Sequence, residues 1–185
     1  MNKFIFFIPL LLLFTRSYSQ QGDTTKDNKS SLPYYIEICK DKMTDKEYAF
    51  GSKMLICSET GEKGFKIRIS WDNKKGKVSY NSLVVFFLGT GNCNENNELI
   101  FLFEDNTKYS LKSWNEWNCN GTSYFDSYHK SFDKLNTKKI KVIRFINGRT
   151  LDSYTYTLLE KEQSFFIEAK KAFDENKFVS IKCDD

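Results

Sequence analysis

The strongest constraint on the fold is a segment with the pattern of one β-hairpin and a cysteine at each open end. It reads NCNENNELIFLFEDNTKYSLKSWNEWNC and covers residues 92–119. A turn at residues 105–107 places Cys93 directly opposite Cys119. Opposed residues of antiparallel strands have Cα atoms about 4.5–5.5 Å apart, which is within disulfide range. The sequence therefore predicts a Cys93–Cys119 disulfide at the base of an antiparallel hairpin.

The same register predicts which side chains of the hairpin face each other. Phe103 lies opposite Tyr109 on an apolar face, and Glu104 lies opposite Lys108 on the other face, because strand side chains alternate between faces. An opposite-charge pair across two strands stabilises a sheet by a few tenths of a kcal/mol.

The partners of the other three cysteines are not evident from the sequence. Cys39, Cys57 and Cys183 allow three choices of a second disulfide, and the sequence does not select among them. One thiol remains in each case. It is either buried and inert, linked to another molecule, or reactive.

The N-terminus has the features of a secretory signal peptide, residues 1–19. Lys3 precedes the apolar run Phe4–Phe14, and small residues at Ser17 and Ser19 mark a cleavage site after Ser19. The run is shorter than the roughly 20 residues that cross a bilayer. We therefore expect an exported protein, periplasmic or extracellular, with no integral membrane segment. Disulfides are the expected state of cysteines in these compartments.

The rest of the chain divides into a leader and one domain. Residues 20–32 are polar, which predicts a disordered leader, and residues 33–185 are long enough for a single β-rich domain with its own core. Loss of Lys3 and Arg16 with the signal peptide reduces 28 basic residues to 26, against 24 acidic residues. This near-neutral balance does not indicate a nucleic-acid partner.

Short β-rich runs separated by turn residues fill most of the domain. The predicted strands are Tyr34–Cys39, Glu47–Cys57, Phe65–Trp71, Leu83–Leu88, Leu99–Glu104, Lys108–Trp114, Ile140–Ile146, Leu151–Leu158 and a short last one at Phe178–Lys182. Ser164–Asn176 has a helical apolar stripe formed by Phe165, Ala169, Ala172 and Phe173. The expected fold is mainly β: an antiparallel β-sandwich or partly open barrel with one C-terminal α-helix packed on it.

Residues for catalysis or metal binding are few. His129 is the only histidine, and its neighbours Ser127 and Asp126 are too close in sequence to adopt the geometry of a catalytic triad. We therefore expect no catalytic residues, no metal site and no cofactor. The side-chain oxygens of residues 92–98 leave a calcium loop as an alternative to a solvated one. Asn120-Gly121-Thr122 is a glycosylation sequon in hosts that modify secreted proteins.

Three aromatic residues cluster around the Cys119 end of the hairpin: Trp114, Trp117 and Tyr124. Exposed Trp and Tyr side chains stack on sugar rings or anchor protein partners, but they are also natural core residues in a Phe-rich sheet. In the predicted register Trp114 and Trp117 lie on opposite faces. These three residues are the candidate ligand-binding residues, with a core role as the alternative.

Several segments resemble exported bacterial β-sandwich proteins of uncharacterised function. They are KDKMTDKEY, LIFLFEDNTKYSL, WNCNGTSYF, KKIKVIRF and the C-terminal FFIEAKKAF. The likeness covers most of residues 34–175. It implies an exported bacterial domain and assigns no catalytic residue.

The favoured function is an exported non-enzymatic module that binds an unknown protein or glycan partner through loops at one end of a β-sandwich. The first alternative is a carbohydrate-binding module that uses Trp71, Trp114, Trp117 or Tyr124. The second alternative is a small hydrolase centred on His129.

Overall fold

The structure is a computed structural model, and it describes residues 33–74, 77–89, 93–114, 117–126 and 133–183. The strands are β1 (Ile36–Lys40), β2 (Glu47–Gly51), β3 (Leu55–Cys57), β4 (Gly64–Lys74), β5 (Lys77–Leu88), β6 (Glu98–Phe103), β7 (Lys108–Lys112), β8 (Thr122–Asp126), β9 (Ile140–Ile146), β10 (Ser153–Thr157) and β11 (Phe178–Lys182). The helices are α1 (Asp133–Thr137) and α2 (Phe165–Asp174), with a 3-10 turn at Glu160–Glu162.

Two sheets face each other across one hydrophobic core. The larger sheet has the strand order β11-β1-β2-β4-β5-β8, with β3 beside β4, and the smaller has the order β10-β9-β6-β7. They do not close into a barrel, although an isolated bridge between Ser113 and Phe125 joins them at one corner. The prediction of a mainly β fold with a C-terminal helix is confirmed, and the sandwich is the arrangement adopted.

Alternation of side chains explains how β6 contributes to the core. Leu99, Phe101 and Phe103 are fully buried, whereas Ile100 and Leu102 between them are half-buried. The odd-numbered residues therefore form the inward face, as predicted, because the side chains of a strand point to opposite faces in turn.

Helix α2 packs against both sheets. Phe166 makes an edge-to-face contact with Phe101 of the smaller sheet, with ring centroids 5.8 Å apart. Phe173 stacks on Trp71 of the larger sheet with centroids 6.4 Å apart. The predicted apolar stripe is thus the buried face of the helix, and Phe166 widens it.

Three features of the fold differ from the sequence predictions. The predicted strand Glu47–Cys57 is two strands, β2 and β3, and both β8 and α1 were missed. The polar residue Ser123 of β8 is completely buried, so the strand lacks a simple apolar alternation. In addition, β11 pairs with β1 in parallel, not antiparallel. Strands joined by tight turns are antiparallel, but β1 and β11 come from opposite ends of the domain and are free to adopt either direction.

The register of the β6–β7 hairpin also differs from the prediction. Phe101, not Phe103, lies opposite Tyr109. Asn106 donates its N–H to Phe103 O and has a φ of 62°, which makes a type I turn closed by a left-handed residue. The centre of the turn therefore moves from Asn106 to Asp105. This move changes every opposed pair by two residues and leaves the faces unchanged.

The predicted ion pair between Glu104 and Lys108 is consequently wrong. Lys108 lies opposite Leu102. The Glu104 carboxylate instead lies 3.9 Å from the Lys139 ammonium, and the Glu104 N–H donates to Lys139 O. Glu104 belongs to the turn, so its partner comes from the residue that precedes β9.

The cysteines nevertheless meet as predicted, because an irregularity compensates for the shifted register. The Ser113 N–H donates to Asn97 O, and further out Asn94 bridges Asn118. Between these two pairs the chain after β7 covers five positions, from Ser113 to Asn118. The chain before β6 covers only three, from Asn94 to Asn97. This difference restores the opposition of Cys93 and Cys119, which form a disulfide.

The second disulfide joins Cys39 to Cys183, a choice that the sequence left open. It leaves Cys57 as a buried free thiol, and burial raises the pKa of that thiol. Because the thiolate is the nucleophilic form, Cys57 is an inert core residue. Two disulfides are typical of proteins that fold in an oxidising environment. No helix among the described residues has the length and apolar character needed to cross a membrane.

Candidate binding site at the disulfide-closed end

The three tryptophans differ sharply in exposure. Trp114 and Trp117 are 63% and 52% exposed, whereas Trp71 is 2% exposed. A core role is therefore wrong for the two hairpin tryptophans. Trp71, which was a candidate for carbohydrate binding, stacks on α2 in the core and cannot be reached by a ligand.

Trp114 pairs with Tyr124 on the outer side of the larger sheet. Trp114 follows β7, and its backbone N–H donates to Tyr124 O at 3.1 Å. Tyr124 is half-buried between the fully buried Ser123 and Phe125, so its side chain lies on the face opposite to the core. The rings of Trp114 and Tyr124 have centroids 5.5 Å apart and planes inclined by 36°.

Trp117 has a different neighbour. The Arg149 guanidinium carbon, in the loop between β9 and β10, lies 5.3 Å from the centroid of the Trp117 ring, which is a cation–π distance. Among the described residues no ring contact joins Trp114 to Trp117. The tryptophan surface is defined here as Trp114, Trp117, Tyr124 and Arg149. It consists of two pairs, Trp114 with Tyr124 and Trp117 with Arg149, and is not one flat platform.

A buried network of polar side chains supports this surface. Asn94 and Asn97 are both completely buried. The Asn97 amide nitrogen donates to Asn94 Oδ1 at 2.7 Å and to Ser123 Oγ at 2.9 Å. The Asn94 amide nitrogen donates to Asn118 Oδ1 at 3.0 Å. Buried polar groups need hydrogen-bond partners. Here those partners link the start of the hairpin to β8 and to Asn118, the residue after Trp117.

The loop between β9 and β10 docks onto the same network. The Asn147 amide donates to Cys93 O at 3.0 Å, and Gly148 N–H donates to Asn97 Oδ1 at 3.2 Å. A Cβ atom on Gly148 would lie 2.2 Å from Asn96 O, so only glycine permits this approach. The Arg149 N–H donates to Asn147 Oδ1 at 2.9 Å. Arg149 is thus held beside Trp117 by its own backbone.

Two of the side-chain oxygens in the asparagine-rich loop are already used by the protein. Asn94 Oδ1 and Asn97 Oδ1 both accept hydrogen bonds from the protein itself. Within residues 33–183, as far as they are described, no three His, Cys, Asp or Glu side chains come together as a metal site. His129 and Ser127, the centre of the hydrolase hypothesis, lie outside the described residues.

Asn120 of the glycosylation sequon is exposed next to the tryptophan surface. Its Oδ1 accepts the Thr122 N–H at 3.0 Å and so holds the corner that leads into β8.

Sequence reasoning missed the buried asparagines and Arg149. One signal was present for Asn97, since it is odd-numbered like Leu99 and Phe101 and therefore falls on the inward face of the hairpin. Its partners Ser123 and Gly148 lie 26 and 51 residues away, beyond the range of any local pattern. Arg149 gave no signal, because its role depends on where the Asn147 loop docks.

Comparison of the chain with protein-family models, with characterised proteins and with solved structures found no match. The basis for a functional assignment is therefore the geometry of this surface.

Proposed function

We propose that the protein is an exported, non-enzymatic module that binds a protein partner through the tryptophan surface. The observation that carries this proposal is the exposure of two tryptophans, Trp114 and Trp117, on a part of the fold that is fixed by a disulfide and by buried amides.

Exposure of these side chains is costly without a partner. A tryptophan buries up to about 250 Å² of surface, and at about 25 cal/mol per Å² that area contributes several kcal/mol when it leaves water. The chain nevertheless places two tryptophans in solvent and buries two asparagines, Asn94 and Asn97, at the same end of the fold. Stability alone does not explain why tryptophans are exposed and asparagines are buried.

The composition and rigidity of the surface fit a protein contact. Tryptophan, tyrosine and arginine are the residues most enriched at the energetic centres of protein interfaces. Because the Arg149 backbone and the Trp114 backbone are both hydrogen-bonded in place, little conformational entropy is lost when a partner binds. Arg149 also gives the surface a positive charge beside Trp117, which favours a partner with an acidic group at that position.

Replacement of the tryptophans tests the proposal. The protein, immobilised through its C-terminus, is used to capture partners from an extract of exported proteins of the source organism, and affinity for each captured partner is then measured with purified components. Trp117→Ala and Trp114→Ala should each weaken binding by about tenfold or more. Their melting temperatures should change little, since both side chains are exposed.

Met43→Ala provides a matched control. Met43 is 92% exposed in the turn between β1 and β2 and belongs to no part of the tryptophan surface. Equal affinity of Met43→Ala, Trp114→Ala and Trp117→Ala for every captured protein would reject this surface as the binding site.

Carbohydrate binding is the second candidate, and the Trp114–Tyr124 ring pair favours it because neighbouring aromatic rings can stack on a sugar. Trp71 is excluded from this role by burial. Binding to a glycan array that is lost in Trp114→Ala but kept in Trp117→Ala would support it over a protein partner. A protein contact uses both tryptophans.

A further inference from the structure

Strand β10 (Ser153–Thr157) is an outer edge of the smaller sheet, and within the described part of the chain it pairs only with β9. Two backbone hydrogen bonds flank the strand: the Leu158 N–H donates to Lys141 O, and the Asn147 N–H donates to Asp152 O. They show that the even-numbered residues of β10 form the hydrogen-bonded pairs with β9. Since hydrogen-bonded pairs alternate along an antiparallel ladder, the N–H and C=O groups of the odd-numbered residues of β10 point away from β9. They present a free row of donors and acceptors.

This edge lacks the charged residues, prolines and bulges that normally prevent edge strands from pairing with another chain. The strand reads SYTYT, without charge or proline, and its register with β9 is regular throughout. In contrast, β7 at the opposite edge of the same sheet begins with Lys108 and ends with Lys112, and β11 ends with Lys182. Exposed edges are normally blunted by lysine, proline or bulges, because they otherwise pair with another chain.

Space for another chain lies beside this edge. A cleft of about 370 Å³ lies between β10 and the turn that joins β3 to β4, and residues Ser153 to Tyr156 line one side of that cleft. Ser153, Thr155 and Thr157 are all exposed.

We propose that β10 is a dimerisation edge that pairs antiparallel with β10 of a second copy of this chain. The sequence of the strand is self-complementary about Thr155. A two-fold axis at that residue places Thr155 opposite the partner's Thr155 and Ser153 opposite the partner's Thr157. Hydroxyl-bearing side chains are favourable cross-strand pairs, and the outward backbone groups in this register form about six hydrogen bonds.

Two exposed leucines support this register independently of the backbone. Leu151 is 76% exposed and Leu159 is 54% exposed, and each lies four positions from Thr155. The same axis therefore brings Leu151 next to the partner's Leu159, which removes both from water. Leu151 has a φ of 63°, a conformation in which bulky residues are rarely found. Glycine or asparagine would relieve that strain, so the leucine at this position is consistent with a contact.

The contact is isologous, as in most homodimers, and it extends the smaller sheet continuously through the axis to eight strands. It is independent of the tryptophan surface. Because a single edge pair is small compared with a standard interface, we expect a dimer that dissociates on dilution.

Sedimentation velocity from about 10 µM to about 1 mM measures this equilibrium. The purified protein should shift from monomer to dimer over that range, and Thr155→Pro should weaken the dimer by at least tenfold, since it removes an N–H at the axis. The N–H of Thr155 is not used by β9, so the monomer should remain folded. A protein that stays monomeric throughout the range would overturn the proposal.

Ser110→Pro is the matched control at the other edge of the sheet. The hydrogen bonds from Phe103 N–H to Thr107 O and from Ser113 N–H to Asn97 O show that the Ser110 backbone also points outward. Its lysine-flanked strand should not take part in dimerisation, so this variant should dimerise normally. Equal weakening by Ser110→Pro and Thr155→Pro would contradict the choice of edge.

Disulfide cross-linking tests the position of the axis. Directly opposed strand residues lie within disulfide range, so Thr155→Cys should produce a covalent dimer on mild oxidation. Ser153→Cys should not, because Ser153 faces the partner's Thr157 and not itself. Cross-linking of Ser153→Cys as efficiently as Thr155→Cys would reject the register. Buried Cys57 should not compete.

Discussion

The disulfide-closed loop end and the terminal corner are both held together by a disulfide and by buried polar groups, but the chemistry of the buried groups differs. The loop end comprises residues 93–97, 113–114, 117–124 and 147–149, and the terminal corner comprises β1, β2, β11, Cys183 and Arg68 of β4. Each contains one disulfide and buried polar groups. The disulfide of the loop end closes a loop of 26 residues, whereas that of the terminal corner connects residues 144 apart.

The polar groups differ in the same way. At the terminal corner an Arg68 guanidinium nitrogen lies 3.2 Å from a Glu37 carboxylate oxygen, and the Arg68 guanidinium lies 4.5 Å from the centroid of the Phe50 ring. Glu37 is only 7% exposed, so this ion pair is largely shielded from water. At the loop end the buried groups are neutral amides that bind one another and the backbone.

The two regions therefore have different roles: the terminal corner stabilises the fold, and the loop end holds exposed side chains in position for binding. The terminal corner joins the first and last strands, so its interactions mainly decide whether that side of the larger sheet stays paired. The loop end lies at the surface, and its buried amides hold exposed side chains in fixed positions. Changes at the corner should therefore lower stability and leave binding intact, whereas changes to the buried amides of the loop end should affect both.

Removal of the disulfides gives the largest expected effect. In the chain-entropy model the Cys39–Cys183 link contributes about 5 kcal/mol and the Cys93–Cys119 link about 3.5 kcal/mol. Cys39→Ala combined with Cys183→Ala should therefore lower the free energy of unfolding in urea more than Cys93→Ala combined with Cys119→Ala. The reverse order would mean that the last strand is held without its covalent link and that the loop end carries the stability.

Asn97→Ala should have the next largest effect. It removes hydrogen bonds to Asn94, Ser123 and Gly148 and leaves buried groups without partners, which costs about 3 kcal/mol. Partner binding should fall as well, because the Gly148 loop would no longer be held beside the hairpin. Asn120→Ala, which changes an exposed asparagine, should cost about 0.5 kcal/mol in the same urea measurement. Unchanged binding by folded Asn97→Ala would separate the network from the tryptophan surface.

Arg68→Ala should have a smaller effect on stability. It leaves Glu37 without its ion pair, but Arg68 is partly exposed, so we expect a loss of about 2 kcal/mol in the free energy of unfolding. Replacement of both members, Glu37→Gln with Arg68→Met, should recover most of that loss. Binding of the partner should be the same for both variants, and a loss of binding would show that the two regions are coupled.

The hairpin shows how far local sequence reasoning reaches. Alternation placed Leu99, Phe101 and Phe103 on the inward face, because that result depends only on the period of a strand. The register was wrong by two residues, because the choice between a turn centred on Asp105 and one centred on Asn106 depends on which residue takes the left-handed conformation. Both Asp and Asn are compatible with such turns.

The sequence by itself determined most of the strands, the C-terminal helix and the pairing of Cys93 with Cys119, since each follows from periodicity or from a contact between neighbours along the chain. Only the tertiary structure decided the parallel pairing of β11 with β1, the Cys39–Cys183 link and the exposure of Trp114 and Trp117. Each of these depends on segments that are distant in sequence. The burial of a side chain is set by everything that packs around it, and no local pattern contains that information.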